Sequence, residues 1–134
     1  MLKPNRRIGA AGAGLLVAVC VGCSPTRPSG ATEGVTVYEH PRYGGDARRL
    51  AADERDLKDL RGPCGTSAYT SGWWDDCISS IRVQAGWSAT IYEDPNFRGG
   101  SRTITADTPD LDRVSGPCGD DWENCISSIR VFRP

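Results

Sequence analysis

The chain has 134 residues, six cysteines and a formal net charge of −1, a length that suggests one domain with or without a targeting segment. Lys3, Arg6 and Arg7 lie at its start, so the rest of the chain carries 13 basic against 17 acidic residues, a net charge of −4. This acidic balance argues against a nucleic-acid-binding protein, which needs clustered positive charge.

Residues 1–22 have the pattern of an export signal. The basic start is followed by an uncharged run of small and apolar residues, 8–22, which is too short and glycine-rich to span a bilayer. Val21-Gly22-Cys23 resembles the lipobox of bacterial lipoproteins, although Cys20 stands where that pattern usually has leucine. The resemblance implies lipid attachment at Cys23, followed by a flexible Pro/Ser-rich tether over residues 23–33. The alternative is an ordinary cleaved and released protein.

Residues 34–133 consist of two copies of one unit. The heptapeptide Cys-Ile-Ser-Ser-Ile-Arg-Val occurs at residues 77–83 and again at 125–131. The pattern Tyr-Glu-x-Pro-x-(Tyr/Phe)-x-Gly occurs at residues 38–45 and 92–99, at an offset of 54. Copy one has six extra residues within 66–73, which reduces the offset to 48 for the heptapeptide. The first unit therefore spans residues 34–84 and the second residues 88–133.

Each unit is predicted to be β-structure. Residues 35–38 and 88–92 are β-branched and aromatic runs that suit strands, and the stretches after the glycine turns suit the second strands of hairpins. The repeated heptapeptide predicts a final strand, and only residues 56–60 and 110–114 look helical, for one turn each. Because a unit of about 50 residues cannot bury both faces of its strands, we predict two sheets that share one core. The candidate core residues are Val37, Leu50, Ile81, Val83, Ile91, Ile104, Ile129 and Val131.

The two units together resemble the βγ-crystallin family. The Tyr-Glu-x-Pro-x-(Tyr/Phe)-x-Gly pattern near the start of each unit, and the Ser-Ser strand near its end, are similar to the Greek-key motif of that family. The resemblance covers residues 34–133 and implies one all-β domain, a two-sheet Greek-key sandwich with motifs at 34–84 and 88–133. It further implies four strands in each motif, with one strand exchanged into the partner's sheet.

A calcium signature precedes the final strand of each unit. Asp75-Asp76-Cys77-Ile78-Ser79-Ser80 resembles the (Asn/Asp)-(Asn/Asp)-x-x-(Ser/Thr)-Ser signature of microbial βγ-crystallins, and Ca²⁺ prefers such carboxylate, carbonyl and hydroxyl oxygens. The resemblance implies two sites, each completed by a backbone carbonyl from a hairpin. Site one would use Asp75, Asp76, Cys77 and Ser79 with the Glu93–Asp94 region, and site two would use Glu123, Asn124, Cys125 and Ser127 with the Glu39–His40 region.

The two implied sites are expected to differ in strength. Glu123 replaces Asn or Asp at the first position of site two, and its longer side chain is expected to fit the inner shell less well. Few formal charges contribute to either site, so the dissociation constants should lie roughly between 10⁻⁵ and 10⁻³ M. In lens-type members of the family the serine is structural and no metal is required, so a metal-free role stays open.

Four cysteines remain after Cys20 leaves with the signal and Cys23 carries lipid. Outside the cytosol they are expected to form disulfides. Zinc is a poor alternative, because cysteine intervals of 13 and 7 are unlike Cys-x-x-Cys. Four cysteines allow three connectivities, of which the simplest is one bridge in each unit, Cys64–Cys77 and Cys118–Cys125.

The sequence thus favours an exported, monomeric, calcium-binding protein that is not an enzyme, either lipid-anchored at the outer face of the cell membrane or secreted. The one histidine, His40, is predicted to lie in a loop, and no catalytic triad or phosphate-binding loop is recognisable. One alternative is a protein-binding module such as a protease inhibitor, which would contact its partner through residues 66–73 and Trp74. Another is a purely structural envelope protein. Trp74 and Trp122 are otherwise predicted to pack over the disulfides and the core edge.

Overall fold

A computed structural model of the protein describes residues 33–65 and 72–134. The predicted signal peptide, the lipid attachment at Cys23, the tether up to residue 32 and most of the 66–73 insertion lie outside the described residues. The strands are β1 (Val35–His40), β2 (Gly44–Leu50), β3 (Arg61–Cys64), β4 (Ser80–Val83), β5 (Ser88–Asp94), β6 (Arg98–Ile104), β7 (Ser115–Cys118) and β8 (Ser128–Phe132).

Two three-stranded antiparallel sheets form the domain, with the strand orders β2-β1-β4 and β6-β5-β8. In the first sheet Val35 of β1 lies opposite Leu50 and Val83. The second sheet has the same register, with Ala89 of β5 opposite Ile104 of β6 and Val131 of β8. The predicted all-β, two-sheet architecture is therefore confirmed. In the part of the chain that the structure describes, no helix has the length and apolar character needed to cross a membrane.

The strand exchange implied by the resemblance is present in a reduced form. Glu54 of the first unit forms a β-bridge with Ile129 in β8, and Thr108 of the second unit forms one with Ile81 in β4. The Glu54 and Ile129 backbones exchange two hydrogen bonds of 2.8 and 2.9 Å. The exchanged strand is thus reduced to a single bridge in each unit, and each three-stranded sheet takes one residue from the other unit.

The core lies between the two sheets. Seven of the eight predicted core residues are buried, while Val83 is only partly buried. Trp74 and Trp122 are 2% exposed and belong to the core, as predicted. The prediction missed a set of buried residues in turns and loops, where the alternation that marks a strand is absent. They include Leu57 and Leu111.

Each hairpin folds back over the outer face of its own sheet. The Tyr38 and Tyr43 rings meet edge to face with centroids 5.5 Å apart. The buried hydroxyl of Ser80 donates a hydrogen bond to the His40 carbonyl (2.6 Å) and accepts one from the Tyr43 N–H (3.0 Å). The second serine of the Ser-Ser pair therefore pins the hairpin. The second unit repeats these contacts with Tyr92, Phe97, Asp94 and Ser128.

Neither of the two segments predicted to be helical forms a turn of α-helix. Leu111–Arg113 is a 3₁₀ segment. Residues 56–60 instead form turns, in which the Asp59 N–H bonds the Asp56 carbonyl (3.0 Å) and the Leu60 N–H bonds the Leu57 carbonyl (3.3 Å). The helix prediction for residues 56–60 is therefore wrong. The turns alone bury the apolar residues Leu57 and Leu60, so burial does not require a helix here.

Candidate metal site

Two loops lead into the final strands of the two units and lie side by side. Loop one is defined as residues 74–79 and loop two as residues 122–127. The Asp76 N–H donates to the Ile126 carbonyl, and the Asn124 N–H donates to the Ile78 carbonyl, both at 3.1 Å. These reciprocal bonds show that the loops run antiparallel. The acidic start of each loop is consequently placed beside the serine at the end of the other.

The side-chain contacts cross between the two loops in the same way. Ser79 Oγ lies 3.2 Å from Glu123 Oε1 and 3.4 Å from Asn124 Oδ1. The Ser127 side chain lies beside the Asp76 carboxylate and helps to hold the pKa of that carboxyl down. The sequence expectation drew the acids and the serine of each site from one copy, whereas these contacts join the two copies. We call Asp75, Asp76 and Ser127 the aspartate cluster, and Glu123, Asn124 and Ser79 the amide cluster.

The third residue of each loop has a left-handed backbone conformation. Asp76 has φ 52° and Asn124 has φ 51°, in the left-handed region that Asp and Asn tolerate best among residues with a side chain. The chain can therefore turn here while it presents a polar side chain. This requirement explains why both copies carry an acid or its amide at this position.

A disulfide fixes the residue that follows each acidic pair. Cys64 is bonded to Cys77 and Cys118 to Cys125, with Cα atoms 5.8 Å apart in both bridges. The predicted pairing of one bridge per unit is confirmed. Because the sulfur atoms of Cys77 and Cys125 are held in these bridges, only their backbone carbonyls could serve as ligands.

The hairpin glutamates serve their own hairpins. Glu39 Oε2 accepts a hydrogen bond from the Asp46 N–H (3.2 Å), and Glu93 Oε2 accepts one from the Gly100 N–H (3.1 Å). The hairpin backbone next to each glutamate reaches the loops instead. The Ser79 N–H donates to the Tyr38 carbonyl and the Ser127 N–H to the Tyr92 carbonyl, both at 2.9 Å. The Glu93 backbone thus adjoins the aspartate cluster and the Glu39 backbone the amide cluster.

Negative charge is concentrated and poorly compensated in the aspartate cluster. Asp75 is 6% exposed, and its Oδ1 is the one buried side-chain nitrogen or oxygen of the described residues that has no hydrogen-bond partner. Its Oδ2 lies 3.8 Å from Lys58 Nζ. Burial, together with repulsion from Asp75, raises the pKa of Asp76 above its ordinary value of 3.8, and Lys58 and the Ser127 side chain oppose that rise.

These clusters fit a hard cation that takes several kinds of oxygen ligand. Within residues 33–65 and 72–134, no three His, Cys, Asp or Glu side chains converge as a conventional metal cluster. The aspartate cluster offers two carboxylates and a hydroxyl, and the amide cluster offers one carboxylate, one amide and one hydroxyl. With nearby backbone carbonyls and water, an oxygen-only set of this kind suits Ca²⁺ better than zinc. The unpartnered Asp75 oxygen supports this fit.

Comparison with known proteins identifies related families. The model of peptidase inhibitor family I36 matches residues 32–104, and a search of curated proteins finds no match. Among solved structures, the chain is similar to a βγ-crystallin domain from Flavobacterium johnsoniae, with 32% identity over 74% of this chain and 93% of that one and a TM-score of 0.56. A βγ-crystallin domain from Clostridium beijerinckii is 28% identical over 75% of this chain and 98% of its own, with a TM-score of 0.53.

The family model and the solved structures cover different parts of the chain. The matched residues of the model include the first unit with loop one and end after the first hairpin of the second unit. The solved βγ-crystallin domains extend over about three quarters of the chain and nearly all of their own length. The chain therefore belongs to peptidase inhibitor family I36 and has the two-motif Greek-key fold of a βγ-crystallin domain.

Proposed function

We propose that the protein is an exported calcium-binding module of the βγ-crystallin type that catalyses no reaction. The observation that carries this proposal is the Asp75 carboxylate, which is 6% exposed and has one oxygen without a partner. A buried polar atom of this kind lowers stability unless something pairs with it. A calcium ion would supply that partner and would offset the charge of two adjacent carboxylates.

Two groups of residues would hold the ions. The aspartate cluster would contribute its three side chains, with backbone oxygens near Cys77 and Glu93. The amide cluster would contribute its own three, with backbone oxygens near Cys125 and Glu39. The Glu123 carboxylate reaches Ser79 in the structure, so its extra length does not remove it from the amide cluster. We keep the expectation that the two sites differ in calcium affinity, since the aspartate cluster has two carboxylates and the amide cluster has one.

Thermal unfolding in calcium and in chelator tests the proposal directly. A ligand present at about 100 times its dissociation constant stabilises the folded state by about 2.7 kcal/mol, so the midpoint should rise clearly in calcium. Magnesium at the same concentration should shift it less, because Mg²⁺ demands tighter octahedral geometry. An unfolding midpoint that is the same in calcium and in chelator would contradict calcium binding.

Paired substitutions assign the two sites. Asp75→Asn should remove the stronger calcium-binding step from a calorimetric titration, and Glu123→Gln should remove the weaker one. Asp46→Asn, an exposed carboxylate on β2, is the matched control and should leave both steps in place. Loss of both steps in either single variant would show that the clusters do not act as separate sites.

A second candidate function is peptidase inhibition, which the match to family I36 favours. The structure corrects the predicted contact surface, because Trp74 is 2% exposed and serves the core. Trp73 is half-buried and forms bridges with Arg61 and Cys64 of β3. Inhibition would therefore be carried by Trp73 and the insertion, whose residues 66–71 lie outside the described part of the chain.

Deletion of residues 66–71 separates the two functions. The deletion would reduce the Cys64–Cys77 interval from 13 to 7, the interval that Cys118–Cys125 already has, so the disulfide can still form. If the protein is an inhibitor, this variant should lose inhibition of metallo-, serine or cysteine peptidases while it keeps its calcium response. A full-length protein that inhibits no member of such a panel would contradict the inhibitor role.

Export is supported by the two disulfides, since such bonds persist in oxidising compartments. We propose a lipid anchor at Cys23 as the means of retention at the cell surface. Mass spectrometry of the mature N-terminus tests this, with an acylated Cys23 as the expected result. A mature protein that begins elsewhere without lipid would contradict the anchor and support release.

A further inference from the structure

Lys58 is held next to the aspartate cluster by the turn that carries it. The Leu57 N–H donates to the carbonyl of Ser127 (2.9 Å), and the Trp74 N–H donates to the carbonyl of Leu57 (3.2 Å). The Lys58 N–H itself bonds Asp56 Oδ1 at 3.0 Å. These bonds fix the backbone of Lys58 between the two loops, so its side chain begins beside the aspartate cluster.

The ammonium group of Lys58 balances the charge of Asp75 but forms no hydrogen bond with its carboxylate. Nζ lies 3.8 Å from Asp75 Oδ2, which is an ion pair and longer than a hydrogen bond. The other carboxylate oxygen, Oδ1, has no partner. Lys58 is 61% exposed along its side chain while Asp75 is 6% exposed. The lysine can therefore withdraw into solvent at little cost, and the carboxylate cannot.

The second unit has an acid where the first has this lysine. The Leu111 N–H donates to the Ser79 carbonyl (3.0 Å), and the Trp122 N–H donates to the Leu111 carbonyl (3.2 Å). These bonds repeat those of Leu57, so the residue after Leu111, which is Asp112, occupies the backbone place of Lys58. The amide cluster thus has an acid at the position from which a lysine faces the aspartate cluster.

We infer that Lys58 is an internal counter-cation of the aspartate cluster, which balances Asp75 in the metal-free protein and moves away when calcium binds there. The inference rests on the proposed calcium binding. Displacement of the lysine lowers the calcium affinity of the aspartate cluster, while Asp112 raises that of the amide cluster by attraction. The aspartate cluster has two carboxylates and the amide cluster has one, which by itself favours calcium binding at the aspartate cluster. Lys58 and Asp112 act against this preference, so the calcium affinities of the two clusters lie closer together than the carboxylates alone would suggest.

The test is a calcium titration of ¹⁵N-labelled protein in which the amide signals of Asp76 and Asn124 report the two clusters separately. Lys58→Met should raise the affinity read at Asp76 about tenfold, as expected for removal of one nearby like charge, and should leave the affinity read at Asn124 unchanged. Lys58→Arg keeps the charge and should behave as the wild type. Arg49→Met, which removes one exposed charge from β2, is the control and should change neither reading.

A measurement without calcium is independent of metal affinity. In chelator, Lys58→Met should unfold at a lower temperature than the wild type and than Arg49→Met, because Asp75 then has no counter-charge. An unchanged midpoint overturns the inference, as does an affinity at Asp76 that matches the Arg49→Met control or a gain shared equally by Asn124. If the wild type shows no calcium-dependent shift at either amide, the proposed function itself fails. A shift in the wild type that Lys58→Met leaves unaltered overturns the inference alone.

Discussion

At the scale of single residues, the third residue of each loop decides how much charge the loop carries. Asp76 and Asn124 share the left-handed backbone conformation. Each lies beside the serine of the other loop, Asp76 beside Ser127 and Asn124 beside Ser79. Only Asp76 carries a charge, and its pKa is raised by burial and by Asp75. The folded state therefore holds the Asp76 proton more tightly than the unfolded chain does. Stability from this group is present below the ordinary pKa of 3.8 and is lost as the pH rises through the raised value.

Asp76→Asn should accordingly stabilise the metal-free protein at neutral pH. The amide keeps the backbone conformation that Asn124 already adopts, and it removes repulsion with Asp75. The unfolding midpoint in chelator should exceed that of the wild type at pH 7, and the difference should shrink as the pH falls toward 3.8. Calcium should bind the variant more weakly. A midpoint difference that does not depend on pH would show that the charge of Asp76 is not its cause.

At the scale of elements, each disulfide joins a β-strand to a loop of the candidate site. Cys64 ends β3 and Cys118 ends β7, whereas Cys77 and Cys125 lie inside the two loops and are almost fully buried. The bridges close intervals of 13 and 7 residues. The loops therefore have little freedom to rearrange even without a metal.

Removal of either bridge should lower the free energy of unfolding by an amount that depends on the interval it closes. The chain-entropy estimate gives about 3 kcal/mol for Cys64–Cys77 and about 2 kcal/mol for Cys118–Cys125. Denaturant unfolding of the two paired Cys→Ala variants measures both values. A larger loss from Cys118–Cys125 would indicate that strain or contacts in the folded state, and not the unfolded chain, determine the effect.

The pairing of the cysteines could be predicted from the sequence, but the composition of the clusters could not. Cys64 and Cys118 stand at equivalent points of a duplication, which is visible without a structure. That Ser79 contacts Glu123 depends on two loops running antiparallel, and loop orientation is a property of the assembled sheets. The sequence did contain a signal that Lys58 differs between the two copies, because Lys58 and Asp112 stand at equivalent positions of the duplication. Its meaning needed the hydrogen bonds of Leu57 and Leu111.

At the scale of the whole molecule, the two units complete each other. The Glu54–Ile129 and Thr108–Ile81 bridges place one residue of each unit in the other's sheet. The strand periodicity predicted the sheets and seven of the buried core residues, because a strand shows its buried face in sequence. Leu57 and Leu111 were not predicted, since a single buried residue in a turn has no periodic partner. These turns are the parts through which each unit contacts the other's loop.

This exchange predicts that neither unit folds alone. In a fragment of residues 86–134, Ile129 would lose both backbone bonds to Glu54, and the Val131 N–H would lose its 2.8 Å bond to Asp53 Oδ1. The buried face of its sheet would also meet water. The fragment should therefore show poorly dispersed amide signals, and an equimolar mixture with residues 33–85 should restore the native spectrum. The matched control is the full chain with a protease site inserted at Gly86, where an added side chain would meet no atom within 4 Å; after cleavage there, both halves should stay associated and folded. A cooperative thermal transition in the isolated, monomeric fragment would show instead that one Greek-key unit is an independent folding unit, and that the exchanged residues are not needed for its fold.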